Sequence, residues 1–509
     1  MVAENPVIRG FNPDPSVCRK GDDYYLVTSS FEFFPAIPVY HSRDLVNWHQ
    51  IGSAGDDPEL FDLSHCRSSK GIYASTIRYN PSDELFYIVT TLVHNDDYLM
   101  NESFYITASD PAGPWSDKHS VKGAEGIDPS LFFENGKAYY AGNRRVSPET
   151  KGKRIIWIAE LDIASGVLSE KRDVLFDGAL HNALCPEGPH IYKKDGYYYL
   201  LIAEGGSGEN HAVTVFRSRD IYGPYDVNPR NPVLTHRMLS RNSEFSCIGH
   251  ADIVEAPGGN WAALMLGVRA YGEAGIRNLG RETFITPVIW EDGWPVFSPD
   301  TGKAERIYDL PWKEKEPERR YRSYNGFPEG ALFLRTPHGR IPEYRDGVYK
   351  LPLLSSTIES DGFCSFVGFR QKEKRCSIEA ELDFIAASEH ESAGLAIYMT
   401  GSSYLLFERT ASGLRISSES GAEAIMDIEL PSSIALRIEC LGLDYVCSYK
   451  KDELWVQLGP VLSGRKLSLP LCYTGAVMAL YATAAGRESE GYAIFRSLSI
   501  SSGSRCPAS

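Results

Sequence analysis

The first three hundred residues repeat one pattern of hydrophobic and polar positions. In each copy a short apolar segment is followed by a turn rich in Gly, Asn, Asp or Pro, and then by an apolar strand that in most copies is rich in aromatic residues. This order is typical of a β-hairpin. The copies begin at or near Asp14, Ala74, Asp128, Glu187 and His250, about 50 to 65 residues apart. Five such units predict a five-bladed β-propeller over residues 1–305. The alternative is an open array of β-sandwiches that has this period by chance.

A second element recurs within three of these units. It contains a Ser, then an Asp, then an aromatic residue a few positions later, at residues 41–48, 108–115 and 217–225. We interpret it as the outer strand and turn of a blade.

The pattern changes after the repeats. Residues 306–325 include a charged stretch interrupted by proline, which predicts a linker. Beyond it, residues 377–384 and 434–440 alternate between apolar and polar positions, as strands with one buried and one wet face do. Residues 326–509 are therefore expected to form a jelly-roll-like β-sandwich that closes the active site, and the whole chain is expected to be all-β.

Composition narrows the classes of partner. The formal net charge of −15 disfavours a nucleic-acid or anionic-membrane partner, and no run of 18 apolar residues predicts a membrane span. No basic and apolar leader is visible at the N-terminus, and none of the ten cysteines forms a C-x-x-C pair. We expect free thiols and a cytoplasmic location, with a secreted form that has lost its leader as the alternative.

Three acids fall at the repeat position that opens a unit. Asp14, Asp128 and Glu187 occupy the same place in three copies, to within one residue. The innermost strand of every blade lines the central channel, so these carboxylates are expected to meet at one end of it. Like charges so close together push their pKa values apart, at a cost in stability. One protonated and one ionised carboxyl group is what glycoside hydrolysis requires.

The residues around these acids resemble glycoside hydrolase family 43. The motifs that carry the resemblance are residues 12–16, 126–131 and 187–190. Residues 29–35, 41–48 and 279–283 are similar to the β-xylosidase branch of that family, and residues 393–398 to its C-terminal sandwich. The resemblance covers essentially the whole chain.

The resemblance implies an inverting mechanism and a role for each residue. Asp14 would be the general base that activates water, and Glu187 the general acid. Asp128 would tune the pKa of the acid and orient it. Arg281 would contact the substrate and a carboxylate.

Further candidates surround this set. The resemblance places an aromatic wall of the sugar subsite at Phe31, and Tyr73 stands where the family usually has Trp within Gly-x-Trp-Ala-Pro. His250 opens the fifth unit and is expected to point into the channel. The resemblance puts it near a central calcium ion or a water molecule, although one histidine does not make a calcium site. Glu204, before two glycines, is a weaker candidate.

The function expected is that of an inverting exo-glycosidase acting on small oligosaccharides. It would release single β-1,4-linked D-xylose units from the non-reducing end of xylo-oligosaccharides, with α-L-arabinofuranosidase as a side activity or as the main one. No cofactor is required, while a structural calcium ion and a homo-oligomer stay open. The alternative is a non-catalytic carbohydrate-binding propeller, which would keep the aromatic residues but have no use for three converging acids.

Overall fold

The computed structural model describes residues 1–94, 101–147, 153–177, 184–240, 243–272, 276–468 and 472–503. Its regular elements are β-strands, apart from two single 3-10 turns at Pro257–Gly259 and Lys466–Ser468. The all-β class is confirmed. Within the described ranges, no helix has the length and apolar character to cross a membrane.

Five antiparallel sheets follow one another along the first three hundred residues, and we number them blades 1 to 5. Blade 1 contains Ser16–Lys20, Asp23–Val27, Ala36–Ser42 and His49–Gly55. Blade 2 contains Gly71–Asn80, Leu85–Val93, Glu102–Ala108 and His119–Ser120. Blade 3 contains Ile127–Glu134, Lys137–Arg145, Arg154–Asp162, Val167–Leu168 and Asp173–Phe176. Blade 4 contains Glu187–Lys194, Tyr197–Glu204, Ala212–Ser218, Asp226–Val227 and Leu234–Thr235. Blade 5 contains Phe245–Glu255, Trp261–Arg269, Glu282–Glu291 and Trp294–Phe297.

The first strands of the five blades form a closed ring. Each contacts the first strands of the two neighbouring blades, and the first strand of blade 5 contacts that of blade 1. The five-bladed propeller predicted from the repeats is therefore confirmed. The closed ring leaves a central channel lined by the first strands.

A buried polar network holds the first strands together inside the channel. Asp252 of blade 5 accepts hydrogen bonds from the Ser16 hydroxyl of blade 1 at 2.7 Å and from the Arg78 guanidinium of blade 2 at 2.8 Å. Tyr192 of blade 4 also donates to Asp252, and Arg78 contacts the His190 ring at 2.9 Å. One carboxylate thus joins four of the five blades.

The repeated Ser and Asp of the second sequence element form turns. The Asp44 carboxylate accepts the backbone N–H groups of Val46 and Asn47 at 2.9 and 2.8 Å. The carboxylates of Asp110 and Asp220 accept the N–H two residues later in the same way. These side chains fix the turn that follows the third strand of a blade.

The segment predicted as a linker is attached to the propeller along part of its length. Ile307–Asp309 forms a strand that pairs with Val2–Glu4. The Trp312 indole N–H then donates to the Asp44 carbonyl at 2.8 Å, and Arg320 forms a two-pronged ion pair with Asp110.

Two sheets form the C-terminal sandwich. The first contains Glu343–Arg345, Val348–Pro352, Tyr492–Ser502, Arg375–Asp383, Ser433–Leu441, Asp444–Lys451 and Leu454–Ser463. The second contains Ser365–Arg370, Val477–Thr483, Ser392–Thr400, Ser403–Arg409, Gly413–Ser418 and Gly421–Asp427. The two alternating segments of the sequence pair with each other in the first sheet, with Glu379 opposite Arg437. Their alternate residues are buried, as the pattern predicts.

The sandwich packs directly on blade 1. Phe33–Phe34 pairs with Phe333–Leu334, and one continuous hydrophobic core contains residues of both domains. Nine cysteines are described, and none of them forms a disulfide.

Candidate active site

Each blade contributes one residue with a positive φ, within its first strand or, in blade 1, two residues before it. These residues are Asp14, Ala74, Asp128, Gly188 and His250, with φ between 23° and 56°. In blades 2 to 5 the strand pairing also changes register there. A bulge of this kind re-aims a side chain and is strained for residues other than glycine. The repeated bulge is the reason that side chains at this position turn into the channel.

In blade 4 the residue at the bulge is a glycine and carries no carboxylate. The geometry explains why the acid of this blade, Glu187, stands one residue earlier than Asp14 and Asp128 do in theirs. Its bulge position is Gly188, where a Cβ atom would lie 2.6 Å from Nε2 of His250. A side chain there would displace the imidazole. The carboxylate of blade 4 therefore comes from the preceding residue, Glu187.

One cavity at the end of the channel brings the sequence candidates together. It is lined by Asp14, Asp128, Glu187, Arg281, Phe31, Tyr73 and His250. Its volume is about 110 Å³. An engineered cavity of about 150 Å³ holds benzene, so this space is on the scale of one six-membered ring.

Asp14 is buried among groups that favour its ionised form. Arg281 Nη1 donates to Oδ1 at 3.0 Å, and Nδ1 of His250 lies 3.6 Å from the same oxygen. The Ser29 hydroxyl donates to Oδ2 at 2.6 Å while accepting the Ala74 N–H at 2.7 Å. Burial acts to raise the pKa of Asp14, but Arg281, His250 and Ser29 outweigh it and hold the pKa below its ordinary value. Asp14 is thus an ionised carboxylate at neutral pH.

Asp128 has the opposite environment. Nδ2 of Asn143 donates to its Oδ2 at 3.5 Å, and its side chain is buried. Burial, followed by the charges of Glu187 and Asp14, raises the pKa of Asp128 well above its ordinary value. The cavity therefore contains one carboxyl group that stays ionised and one that keeps its proton to higher pH.

Glu187 lies beside Asp128 and is the more exposed of the two. An oxygen of each carboxyl group and a ring nitrogen of His250 all lie within 4.8 Å of one another. Arg154 Nη1 is 3.8 Å from Oε2 of Glu187 and donates to Oδ1 of Asn143 at 3.1 Å. Arg154 therefore links the Glu187 carboxylate to the residue that contacts Asp128.

Replacing Asp128 with asparagine is expected to raise stability at neutral pH. The pKa of Asp128 is higher in the folded protein than in the unfolded chain, so Asp128 contributes stability at pH values below its unfolded-state pKa. That contribution is lost as the pH rises through its folded-state pKa. Asparagine cannot ionise, so this loss should be absent in the variant and its free energy of unfolding should exceed that of the native chain at neutral pH, more so at pH 8 than at pH 5. Thermal melts at pH 5 and pH 8 test this. If the variant gained no more stability at pH 8 than at pH 5, the raised pKa of Asp128 would be contradicted.

Three aromatic rings form one wall of the cavity. The ring centroid of Phe31 lies 5.2 Å from that of Tyr73 and 6.0 Å from that of Tyr473, with the latter pair stacked. The Tyr73 hydroxyl donates to the Ser69 carbonyl at 2.6 Å, so its polar end faces away from the wall. Gly71 allows the strand that carries Tyr73 to lie close to the backbone of Phe31, because a Cβ at Gly71 would lie 2.1 Å from the Phe31 carbonyl oxygen.

Tyr473 comes from the sandwich, and its backbone N–H and carbonyl groups are both hydrogen-bonded to residues of the propeller. Its N–H donates to the Ser69 hydroxyl at 3.1 Å, and its carbonyl accepts from Arg281 Nη2 at 3.2 Å. Arg281 thus bridges Asp14 and the sandwich. Sequence reasoning missed both Tyr473 and Arg154. Neither lies at a repeat position, and Tyr473 reaches the cavity only because the two domains are docked.

Glu204 does not line this cavity. It is buried, and its carboxylate pairs with Arg237 Nη1 at 3.4 Å. Burial raises the pKa of Glu204, with Arg237 acting against it. The weaker candidate of the sequence is therefore part of a separate ion pair.

The acids and His250 would supply only part of the ligand shell of a calcium ion. Asp128, Glu187 and His250 offer two carboxylates and one imidazole, whereas calcium takes six to eight oxygen ligands. Arg154 and Arg281 line the same cavity and place positive charge beside these groups.

Both domains match known families. The sequence model of the family described as glycosyl hydrolases family 43 matches residues 3–295. The model described as the beta xylosidase C-terminal concanavalin A-like domain matches residues 331–501. These two matches coincide with the propeller and the sandwich.

Individual proteins are similar over nearly the whole chain. A xylosidase/arabinosidase from Butyrivibrio fibrisolvens is 37% identical over 486 residues, covering 92% of this chain and 84% of the relative. A non-reducing end alpha-L-arabinofuranosidase from Bacteroides ovatus is 35% identical, covering 96% and 93%. The crystal structure of xylan beta-1,4-xylosidase from Bacillus halodurans superposes with a TM-score of 0.88 at 28% identity, covering 97% of this chain and 99% of that one.

Proposed function

The chain belongs to glycosyl hydrolase family 43, and we propose that it releases single pentose units from the non-reducing end of xylo-oligosaccharides, with β-1,4-linked D-xylose as the preferred unit. One observation carries this proposal. A cavity on the scale of one six-membered ring contains a carboxyl group whose pKa is lowered, Asp14, and one whose pKa is raised, Asp128, next to Glu187. Hydrolysis of a glycosidic bond needs both protonation states at once.

Asp14 is the group suited to activate water. Its lowered pKa keeps it ionised, and the contacts from Arg281 and Ser29 hold its two oxygens in place. Water held by Asp14 would attack the anomeric carbon as its proton passes to the carboxylate. Attack by water on the face opposite the leaving group inverts the anomeric centre.

Glu187 is the group suited to protonate the leaving oxygen. It is more exposed than Asp128, so it can reach an oxygen that leads out of the cavity. Burial and the charges of Glu187 and Asp14 raise the pKa of Asp128, so the Asp128–Glu187 pair holds a proton to higher pH than a lone carboxyl group would, and Glu187 is the member of the pair placed to deliver it. The leaving sugar departs as an alcohol with the proton from Glu187.

The sandwich supports removal of units from a chain end. Tyr473 adds a wall to the cavity, and its backbone N–H and carbonyl groups form hydrogen bonds with Ser69 and Arg281. A cavity closed on this side has room for one ring, and the rest of the substrate has to extend outward. This arrangement favours exo action over cleavage within a polymer.

Hydrolysis of two aryl pentosides tests the substrate. We expect nitrophenyl β-D-xylopyranoside to be hydrolysed with a higher kcat/KM than nitrophenyl α-L-arabinofuranoside. Proton NMR of the xylose first released from the nitrophenyl xyloside should show the α-anomer before mutarotation. Folded protein that hydrolyses neither glycoside would exclude the proposal, and β-xylose as the first product would exclude inversion.

α-L-Arabinofuranosidase is the second candidate, because Tyr73 departs from the usual Trp in the wall of the subsite. Relatives named for each activity, and for both, match this chain. Both pentoses present the scissile bond to the same base and acid, so the shape of the wall decides between them. A higher kcat/KM on the arabinofuranoside would favour this candidate.

Removal of divalent metal is expected to leave the rate unchanged. Every proton transfer proposed here is assigned to a carboxyl group, and the cluster of Asp128, Glu187 and His250 offers fewer ligands than the six to eight oxygens that calcium takes. After dialysis against EDTA, kcat/KM on the aryl xyloside should stay within about twofold of the untreated enzyme, a difference of ~0.4 kcal/mol. A larger loss that added calcium restores would contradict this assignment.

A further inference from the structure

A second and larger cavity lies between the propeller and the sandwich. Its volume is about 610 Å³, within the range of about 300 to 1,000 Å³ typical of small-molecule sites. The propeller contributes the N-terminal segment and blade 1, including Tyr40, Trp48 and Gln50. The sandwich contributes Arg370 and Lys372, among others. No residue of the catalytic set lines it.

Arg370 is a buried cation with no countercharge among the described residues. Its side chain is only 6% exposed, and its Nε donates to the Phe11 carbonyl at 2.8 Å. Nη2 is buried without a hydrogen-bond acceptor in the described part of the chain, and no described carboxylate lies within ion-pair distance. Burial lowers the pKa of Arg370, with Tyr40 and Tyr321 acting against it. A buried, unpaired guanidinium is costly for folding, and an anion from outside the chain would remove that cost.

Lys372 adds to the positive character of the cavity. Lys372 lies two residues further along, is exposed, and forms no ion pair among the described residues. Arg9 also lines the cavity but is paired with Glu373. Glu329 is the one carboxylate among the lining residues. This cavity is thus cationic within a protein whose net charge is −15.

We propose that this interdomain cavity binds an organic oxyanion of monosaccharide size, such as a sugar that bears a carboxylate or a phosphate. A guanidinium and an ammonium group are the usual partners of both anions, and the guanidinium can bind two oxygens at once. Trp48 and Tyr40 offer ring surface to the body of a sugar. The polar ends of these two rings are already bonded, to the Leu45 carbonyl and the Asn12 amide oxygen, which leaves the charged groups to select the ligand.

The position of the site explains why occupancy should stabilise the protein. Arg370 is on the sandwich, while the Phe11 carbonyl that it holds lies three residues before Asp14. An anion on Arg370 would contact both domains at their junction. Binding to the folded state alone raises the melting temperature in proportion to the logarithm of ligand concentration.

Thermal melts of the full chain test the site. The probes are glucuronate, glucose 6-phosphate and inorganic phosphate, each compared with sodium chloride at equal ionic strength and with neutral glucose. We expect both acidic sugars to raise the melting temperature in a saturable way and neutral glucose to have no effect. The larger of the two shifts tells whether carboxylate or phosphate is preferred. A shift with inorganic phosphate and with neither acidic sugar would overturn the assignment of a sugar ligand.

Two variants assign the effect to this cavity. Lys372→Gln changes an exposed residue, so it should fold normally, and it should weaken binding about tenfold, the loss of one charge-assisted hydrogen bond. Arg370→Met keeps the length of the side chain and should abolish the shift. Lys451→Gln, on an exposed lysine outside the cavity, is the matched control. Equal shifts in the native chain and in both cavity variants, or competitive inhibition of aryl xyloside hydrolysis by the acidic sugars, would place the anion elsewhere.

Discussion

Exchange of Asp14 for asparagine, or of Glu187 for glutamine, is expected to lower kcat on xylobiose by about 10²- to 10⁴-fold, the usual worth of a positioned acid or base. Both changes keep the shape of the side chain and remove the proton-transferring group. Asparagine is a better choice than alanine at position 14, because the backbone there has a φ of 55°, which asparagine tolerates better. Circular dichroism and melting temperature serve as the controls for folding.

The two variants should differ in their response to the leaving group. A nitrophenolate leaves without help from an acid, so Glu187→Gln should recover much of its rate on nitrophenyl xyloside relative to xylobiose. Asp14→Asn should be equally impaired on both substrates, since the activation of water is still missing. If the pattern were reversed, the two roles would have to be exchanged, and near-normal rates in either variant would refute the proposed mechanism.

Exchange of Asp252 for asparagine is expected to cost about 3–5 kcal/mol in the free energy of unfolding, as for other buried ion pairs that lose one partner. The Asp252 side chain is fully buried, and the change leaves the Arg78 guanidinium of blade 2 without its carboxylate. The hydrogen bonds from Ser16 and Tyr192, on two further blades, are weakened at the same time. Chemical denaturation followed by tryptophan fluorescence measures the effect.

The pH dependence and a double-mutant cycle provide the checks on Asp252. Burial acts to raise its pKa, but Arg78, His190 and Tyr192 together lower it to about 2. Its contribution to stability should therefore be complete above the pKa of the unfolded chain and be lost as pH falls toward 2. Combining Asp252→Asn with Arg78→Met should cost less than the sum of the single changes. A loss below ~1 kcal/mol for Asp252→Asn would mean that the network does not hold the blades together.

The convergence of the acids followed from the sequence because a propeller repeats its geometry. Once Asp14 and Asp128 occupy one position in successive units, ring closure brings them to the same end of the channel. The alternation at residues 377–384 and 434–440 likewise predicted two strands with one buried face, and these strands pair with each other. Local pattern was sufficient in each case, because each unit folds in the same way wherever it stands.

Other parts of the site depended on contacts between distant residues. The shift of the blade 4 carboxylate to Glu187 follows from the space that His250 occupies next to Gly188, 62 residues earlier in the chain. Tyr473 reaches Phe31 and Arg281 only through the docking of two domains. The opposite pKa shifts of Asp14 and Asp128 depend on whether a guanidinium or another carboxylate is the neighbour.

The sequence by itself determined that this protein is a five-bladed propeller followed by a sandwich, and that three carboxylates meet at the channel. It did so because the strand period and the repeat position are properties of short segments. The tertiary structure decided which carboxylate stays ionised, which keeps its proton, and which residue of the sandwich closes the cavity. Charge and burial act through space, so these properties exist only once the ring is closed and the sandwich is docked.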